Sequence, residues 1–584
     1  MRIYRSFIGI IVLLLLSGCG SGGTAIIIGS IQGPLIIIEY ASASYTIDVN
    51  DADTSEFLWT INPPYRVRIV NNALQTITIQ TDGVASDTVV ELSVQVKSAE
   101  GDVETSTIEI QIEDRPDSWT RTIGGIERDR ATGVTSDSAG NIYITGYFSS
   151  TVDFDPGLSE ERRTSIGRED AYLAKFSPGG DFVWVKTWGG PGIESGNVVE
   201  VDVDGNVVVA GWSQYDVDFD PGPGELKFDW YGANDLFVSK FDPLGNLIWA
   251  KAWGGNAWDI IHGMTTSQDG SIYLGIEFFE TADFDPAAAG VDEHVSVGHA
   301  DIALCKLDRS GNFQWAYSWG SVAGDGADGL VFDNDGNLYM TGDFSFTIDF
   351  DPGPEVDELT SNGERDVFLM KWNANDEYQW TRSWGSSGPT VESWDKGNGI
   401  DVDIEGNPVV TGMFCNSVDF DSGPGEYILN SAGEADIFTC KYDPDGNFLW
   451  AYRMGGPGYD IGIEVQADSS GNVYTVGVFK DTADFDSGPG SQTFVSNGYH
   501  DSFVTCIDQY GNHEWTAVWG GEGPDYAHNI FVTELDELLI TGSMQCKNDF
   551  GNPGENDIRE SNGKSDIFLR KMQPSAMVGG GALW

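Results

Sequence analysis

The sequence predicts an all-β chain: a seven-bladed β-propeller of four-stranded blades, preceded by a small β-sandwich. Three observations carry this reading. A Gly-Gly or Gly-Ser step recurs at Gly124, Gly189, Gly254, Gly320, Gly385, Gly455 and Gly520, at intervals of 65 to 70 residues. Between steps, the apolar residues fall in four short runs parted by Gly-Asn turns, with no helical period. Self-similarity in four-strand units marks a propeller blade. The 584 residues are 40% hydrophobic and 12% aromatic, ample for a packed core, which excludes a disordered or collagen-like chain.

The elements follow in order. Residues 1–19 read as a targeting segment. Arg2 and Arg5 precede an apolar run, Phe7 to Leu16, too short to span a bilayer as a helix. The run ends in Leu16-Ser17-Gly18-Cys19, which resembles a bacterial lipobox. The resemblance implies cleavage before Cys19, acylation of Cys19, and a membrane anchor at the outer membrane or cell surface. Residues 20–30 are Gly/Ser-rich and suit a flexible tether. Residues 31–114 alternate apolar and polar, as in Tyr45-Thr46-Ile47-Asp48-Val49 and Ile108-Glu109-Ile110-Gln111-Ile112, which predicts half-buried antiparallel strands. With Trp59 on an early strand and no cysteine pair, this segment resembles an immunoglobulin-like or PKD-like sandwich lacking the disulfide. The propeller is expected over 117–573, and 574–584 is a tail.

One unit reads as follows. An acidic residue follows the glycines, then an apolar strand ending in a turn such as Asp202-Val203-Asp204-Gly205-Asn206. Next come a strand such as Ile142 to Phe148, an Asp-Phe-Asp-Pro-Gly loop, and a strand such as Asp235 to Lys240. A second Gly-Asn turn and a Trp strand such as Trp249 to Trp253 complete it. These motifs in this order resemble the bacterial SBBP β-propeller repeat, over all seven units. Blade five carries five extra residues near Thr390 to Lys396. The seventh unit stops at Lys571 without its Trp strand, while Trp119 to Ile123 is an orphan Trp strand before the first. The orphan is therefore expected to complete blade seven, because ring closure removes exposed sheet edges.

Three recurring features are candidates for function. In Trp184-Val185-Lys186-Thr187-Trp188 the aromatics and the cation share one strand face, which favours packing between blades over a ligand-stacking platform. The Asp-Phe-Asp motif pairs Asp153 with Asp155, Asp218 with Asp220, Asp283 with Asp285, Asp349 with Asp351, Asp419 with Asp421, and Asp484 with Asp486. Each pair aims two carboxylates one way, so each wants a cation. Either Ca²⁺ or a lysine could serve. Lys175, Lys240, Lys306, Lys371, Lys441 and Lys571 hold one repeat position and are six of only 14 lysines, which favours an Asp–Lys lock with an Asx-turn. The Asp-x-Asp-Gly turns read as hairpin turns rather than calcium loops, since no Glu completes a twelve-residue loop. Finally Asp129, Glu194, Asp259, Asp325, Asp395, Asp460 and Asp525 follow the glycines in the connections between blades. They are expected either as solvated turn residues or as an acidic ring on a loop-rich binding face.

With 91 acidic and 31 basic residues the formal net charge is −60, which repels phosphate backbones and excludes nucleic acid as a partner. Five cysteines besides Cys19 are scattered, without a CxxC pair. There are six histidines, and His262 and His528 share a repeat position; no HExxH, GxSxG or P-loop pattern occurs. The function read from this is a lipid-anchored, non-enzymatic binding or scaffold module, monomeric, offering an acidic face to a protein or glycan. The alternatives are a carbohydrate-active hydrolase or lyase, and a calcium-dependent adhesin; Ca²⁺ is the one candidate cofactor.

Overall fold

The computed structural model describes eight strands within residues 28–113, and residues 118–577 apart from 288–289, 389–393, 487, 489, 552–556 and 575–576. The chain divides into two units between Asp117 and Ser118. The targeting segment, Cys19 and most of the extra residues of blade five lie outside the described residues.

The N-terminal unit has two four-stranded sheets. One orders Ile28–Gln32, Ser42–Val49, Thr76–Thr81 and Val67–Asn72; the other orders Ile36–Ile38, Val103–Glu113, Thr88–Lys97 and Glu56–Asn62. Every pairing is antiparallel except that of Ile36–Ile38 with Val103–Glu113. The first strand begins at Ile28, so the last residues of the expected tether belong to a sheet. Leu92 and Val94 are both fully buried, as the period-two alternation requires.

The C-terminal unit is a seven-bladed propeller. Each blade is a four-stranded antiparallel sheet, and in the first six its strands pair in chain order, as in Arg130–Ser136, Ile142–Phe148, Asp170–Phe176 and Phe182–Trp188 of blade one, where a short ribbon of Thr151–Asp153 and Arg162–Thr164 lies between the second and third. Blade seven joins Tyr526–Val532, Leu538–Met544 and Asp566–Met572 to Trp119–Ile123, with Lys571 opposite Trp119 and Ile567 opposite Ile123. The orphan strand closes the ring as the sequence predicts.

Aromatic residues fill the space between blades. Trp188 of blade one packs on Phe237 and Phe241 of blade two at centroid distances of 5.9 and 5.5 Å. Trp384 likewise stacks on Tyr442 of the next blade at 5.0 Å. The phenylalanine of Asp-Phe-Asp turns inward: Phe154 is fully buried, edge-on to Phe148 at 5.3 Å. The first Trp of the strand does a second job. Arg121 lies over Trp119 and donates to Gly180 O of blade one at 3.0 Å, and Arg382 repeats this on Trp380 and Gly446 O. Packing between blades is thus the role of these side chains.

The lysines do not lock the Asp-Phe-Asp pairs. Lys240 Nζ bonds Asp202, Lys441 bonds Asp403 and Lys571 bonds Glu537, at 2.6, 2.6 and 2.7 Å. These partners sit in the turn between the first and second strands, at the opposite end of the blade. Lys175, Lys240 and Lys371 also donate to Pro243 O, Arg309 O and Pro444 O in the second turn of the following blade. The reason is register. Lys175 pairs with Tyr143 at the turn end of its strand, whereas Asp153 lies beyond Phe148 at the other. Five residues of strand is about 16 Å, beyond a lysine's reach.

Candidate functional site

Two acidic systems repeat around the connector face, the face carrying the links between blades. The first is the Asp-Phe-Asp loop. Asp153 Oδ1 accepts from the backbone N–H of Asp155 and of Glu161, at 3.2 and 2.8 Å. Asp218, Asp283, Asp349, Asp419 and Asp484 repeat this double contact, each reaching its motif partner and the far side of the loop. The second acid of each motif serves a separate turn. Asp155 Oδ1 accepts from Gly157 N–H at 2.8 Å. Asp220, Asp285, Asp351, Asp421 and Asp486 likewise accept from the N–H two residues on, that of Gly222, Ala287, Gly353, Gly423 and Gly488, at 2.7, 2.9, 2.6, 2.9 and 3.1 Å. This corrects the expectation that the two carboxylates of a motif share one lysine. Asp155, Asp220, Asp285, Asp351, Asp421 and Asp486 face no lysine from the third strand; backbone N–H groups take the place of the cation, and one oxygen of each carboxylate caps a turn. Nor do these pairs gather a third acidic, His or Cys side chain: among the described residues, no three such groups stand close enough to hold a metal ion. The sequence-predicted calcium ligands therefore stand two to a loop, each already turned to backbone.

The second system corrects the reading of the connector acids. Asp129, Glu194, Asp259, Asp325, Asp395, Asp460 and Asp525 are all buried, neither solvated nor offered on a face. Five of them staple two stretches of backbone, while Glu194 and Asp259 accept from one N–H each, that of Gly190 and of Gly255. Asp129 accepts from Gly125 N–H at 2.7 Å and from Ser149 N–H at 3.0 Å, and Asp460 from Gly456 and Lys480 N–H at 2.8 and 2.9 Å. Each also faces a second buried carboxyl, which opens the third strand of the preceding blade: Asp566, Asp170, Asp235, Asp301, Asp366, Asp436 and Asp501. Burial first, then the like charge opposite, raises Asp129, Asp259, Asp460 and Asp525 to about 7 and Glu194 to about 8. The recurrent glycine exists for this pair. A Cβ on Gly254 would stand 2.9 Å from Asp259 Oδ2 and 3.1 Å from Asp235 Oδ1. These fourteen carboxyls hold the seams shut and leave no free face.

The propeller axis differs from both. A cavity of about 600 Å³ runs along the first strands of all seven blades. The residue three after each staple acid faces it: Thr132, Asn197, His262, Asp328, Asn398, Ile463 and His528. Thr132, Asn197 and Asn398 donate to the next blade's backbone, at Gly196 O, Ile261 O and Gly462 O. His528 shares a hydrogen bond of 3.0 Å with Arg130, and burial together with that charge holds its pKa well below the usual range. At blades three to five, charge breaks the pattern. His262 Nε2 lies 3.1 Å from Glu277. Against burial, the hydrogen bond and charge of His262 hold the Glu277 carboxyl below its ordinary value. Lys396 Nζ bonds Asp328 at 2.8 Å and stands 3.9 Å from Asp343, which accepts from Arg365 at 2.5 Å. Arg365 stacks 5.0 Å over Trp394, an indole left 43% exposed. The sequence had paired His262 with His528; it had not drawn out Glu277, Asp328, Asp343, Arg365 or Lys396. Their signal was departure from the repeat at aligned positions; of these five, Asp328 lines the cavity itself and the others pack around it.

The family model of the SBBP beta-propeller repeat matches residues 118–150. That is the clasp strand and the first hairpin of blade one. The uncharacterized WD repeat-containing protein L264 of Acanthamoeba polyphaga mimivirus is 22% identical over 505 residues, 73% of this chain and 36% of that one. The regulatory protein FlaEY of Caulobacter vibrioides is 24% identical over 217 residues, 36% of this chain and 21% of that one. This chain thus spans about a third or less of each relative's length. Among solved structures, the extracellular domain of BT4673 from B. thetaiotaomicron aligns over 94% of this chain and 76% of that one, at 10% identity and a TM-score of 0.17. A score that low equates no residue of one with a residue of the other.

Proposed function

We propose that this chain is an exported binding module, held at a bacterial surface by lipid on Cys19, whose immunoglobulin-like segment carries a propeller that takes its ligand at the connector-face mouth of the channel and catalyses nothing. The observation that carries the reading is the broken symmetry at the axis. Staples, Asp-Phe-Asp turns and Trp strands repeat blade after blade, as a scaffold requires. Around His262, Glu277, Asp328, Asp343 and Lys396, charged side chains gather in adjoining blades where most other blades carry neutral ones, and Glu200 and Glu464 add single carboxylates to the cavity wall. A concave site with a few convergent polar groups is where a ligand gains most from burial. Fold alone assigns no ligand.

Two measurements test the two halves. Cys19→Ser should move the protein from the membrane to the soluble fraction and abolish its incorporation of labelled fatty acid. Unchanged fractionation would remove the anchor. Glycan and peptide arrays probed with the full mature chain should give ligands whose capture is lost in Asp328→Asn at an unchanged melting temperature. Capture indifferent to that substitution would move the site elsewhere.

A further inference from the structure

Every blade but the sixth carries a lysine near the end of its third strand; the sixth carries Cys506. The rest of the lysine's surroundings is kept. In blade one, Asp137 Oδ2 accepts from Asn141 Nδ2 at 2.8 Å and from Tyr143 OH at 3.0 Å, and lies 3.6 Å from Lys175 Nζ. That ammonium stands 4.8 Å over the Tyr143 ring, and Lys175 pairs across the sheet with Tyr143 and Trp184. Lys306 and Lys371 cover Tyr273 and Tyr339 in the same way, at 4.9 and 5.1 Å. Blade six repeats the set around Cys506. Asp468 Oδ2 accepts from Asn472 Nδ2 at 2.8 Å and from Tyr474 OH at 2.9 Å, and Cys506 pairs with Tyr474 and Trp515.

A second piece of the repeat is missing at the same place. Lys175 Nζ and Trp184 Nε1 both donate to Pro243 O, in the second turn of blade two. Blade seven has no such turn, because its third strand ends at Met572 and its fourth is Trp119–Ile123. Where the two losses coincide, a cavity of about 400 Å³ opens, walled by the buried side chains of Asp468, Tyr474, Cys506 and Trp515. Glu514 and Asp536 add carboxylates to the wall, and none of its described residues is basic. Among the described residues these acids do not converge in threes as a metal ion requires. Burial pushes the Cys506 thiol up to about 12, so it lines the site as a neutral group. What the wall retains is the set that elsewhere in the wheel receives four methylenes and an ammonium.

We propose that this cavity binds a primary alkylammonium group, seated as the lost lysine would be, with its N–H donors on Asp468, its charge over Tyr474 and its methylenes along Trp515. The site is at the turn end of the blades and stands independently of the axial channel. A free amine and a lysine side chain carry the same group, and the probes separate them. Titration calorimetry of the full mature chain would compare n-butylamine with n-butanol, and Nα-acetyl-lysine amide with its Nε-acetyl form. The ammonium form of at least one pair should bind about tenfold or more tightly than its neutral partner, as expected for one charge-assisted hydrogen bond. The pair that discriminates names the source. Cys506→Lys restores the repeat and should abolish binding by filling the cavity from within. Asp468→Asn should erase the preference for the ammonium, and decides the matter should Cys506→Lys fail to fold. Equal binding of ammonium and neutral forms would overturn the proposal, as would undiminished binding in either variant.

Discussion

Trp119→Ala should open the propeller between blades seven and one, while Trp380→Ala, its counterpart inside an unbroken blade, should leave the ring closed. Both substitutions remove a Trp that covers a turn of the next blade: the Trp119 ring lies against Gly180, and that of Trp380 against Gly446. Each should therefore cost about 3–5 kcal/mol by loss of burial and cavity formation. What differs is covalent continuity. Trp380 belongs to a strand joined by chain to its blade and to the next. Trp119–Ile123 is joined to blade seven without chain continuity, through the ladder from Ile567–Ile123 to Lys571–Trp119 and core packing with Leu539 and Leu569. Its other ties are Ile123 in the core of blade one, Arg121 on Gly179 O and Gly180 O, and Asp129 N–H on Ser565 O. Weakening these exposes two sheet edges at once. Hydrogen exchange should show lost protection confined to 119–123 and 566–572 in Trp119→Ala, and no such opening in Trp380→Ala. Equal protection in both variants would mean that the clasp does not limit the ring's stability.

The wheel was legible because its signals are covalently spaced. Glycine steps, Trp strands and Gly-Asn turns recur at fixed intervals, and counting strands placed Trp119 in blade seven before any coordinate did. The carboxylates were less legible. Asp is compatible with a solvated turn, a metal loop or a buried staple, and local sequence does not separate these, since burial of a charge is decided by neighbours far along the chain. Even so, two clues were present. The Asp opening each third strand, Asp170 to Asp566, recurs in all seven units, whereas Asp-Phe-Asp decays to Asp549-Phe550-Gly551 in the last. And a glycine that never varies beside an acid asks what its missing Cβ would strike; at Gly320 and Gly520 the answer is the carboxyl of Asp301 and of Asp501. The lysine error had a simple cause. Equal repetition was read as proximity, when strand length alone put Lys175 and Asp153 at opposite ends of the blade.

Raising the pH from 5 to 8 should lower the melting temperature, the reverse of the acid sensitivity usual for salt-bridged proteins. The sign follows from the seams. Asp170, Asp235, Asp301, Asp501 and Asp566 are raised to about 6, with burial the leading cause; the staple acids Glu194, Asp259, Asp525 and Asp129 are raised further, and Asp325 is raised too. In the unfolded chain these carboxyls return to near 4. Between about pH 4 and 7 the folded form thus holds more protons than the unfolded one, so stability is fullest on the acid side and drains as pH climbs through the folded values. Asp525 is raised further than Asp501, but two facing carboxyls titrate as a pair, and the hydrogen bonds say which of them carries the proton. Asp525 uses both oxygens, accepting from Gly521 N–H and Gln545 N–H at 2.8 and 2.7 Å, so it is best kept ionised. Its partner Asp501 accepts on Oδ2 from Asn497 and leaves Oδ1 buried and unpartnered, the natural site for the hydrogen. Asp501→Asn puts a permanent donor there. That variant should match the parent at pH 5 and melt above it at pH 8, by about 2–4 °C for each kcal/mol regained. Asp525→Ala should instead destabilise at both pH values, by about 1–3 kcal/mol for each backbone N–H it strands. General relief of repulsion among 91 acidic residues would also favour low pH, but one neutralised carboxyl among so many could not then change the slope. If Asp501→Asn melts in parallel with the parent from pH 5 to 8, the seams do not hold the protons, and the acid preference belongs to the surface charge alone.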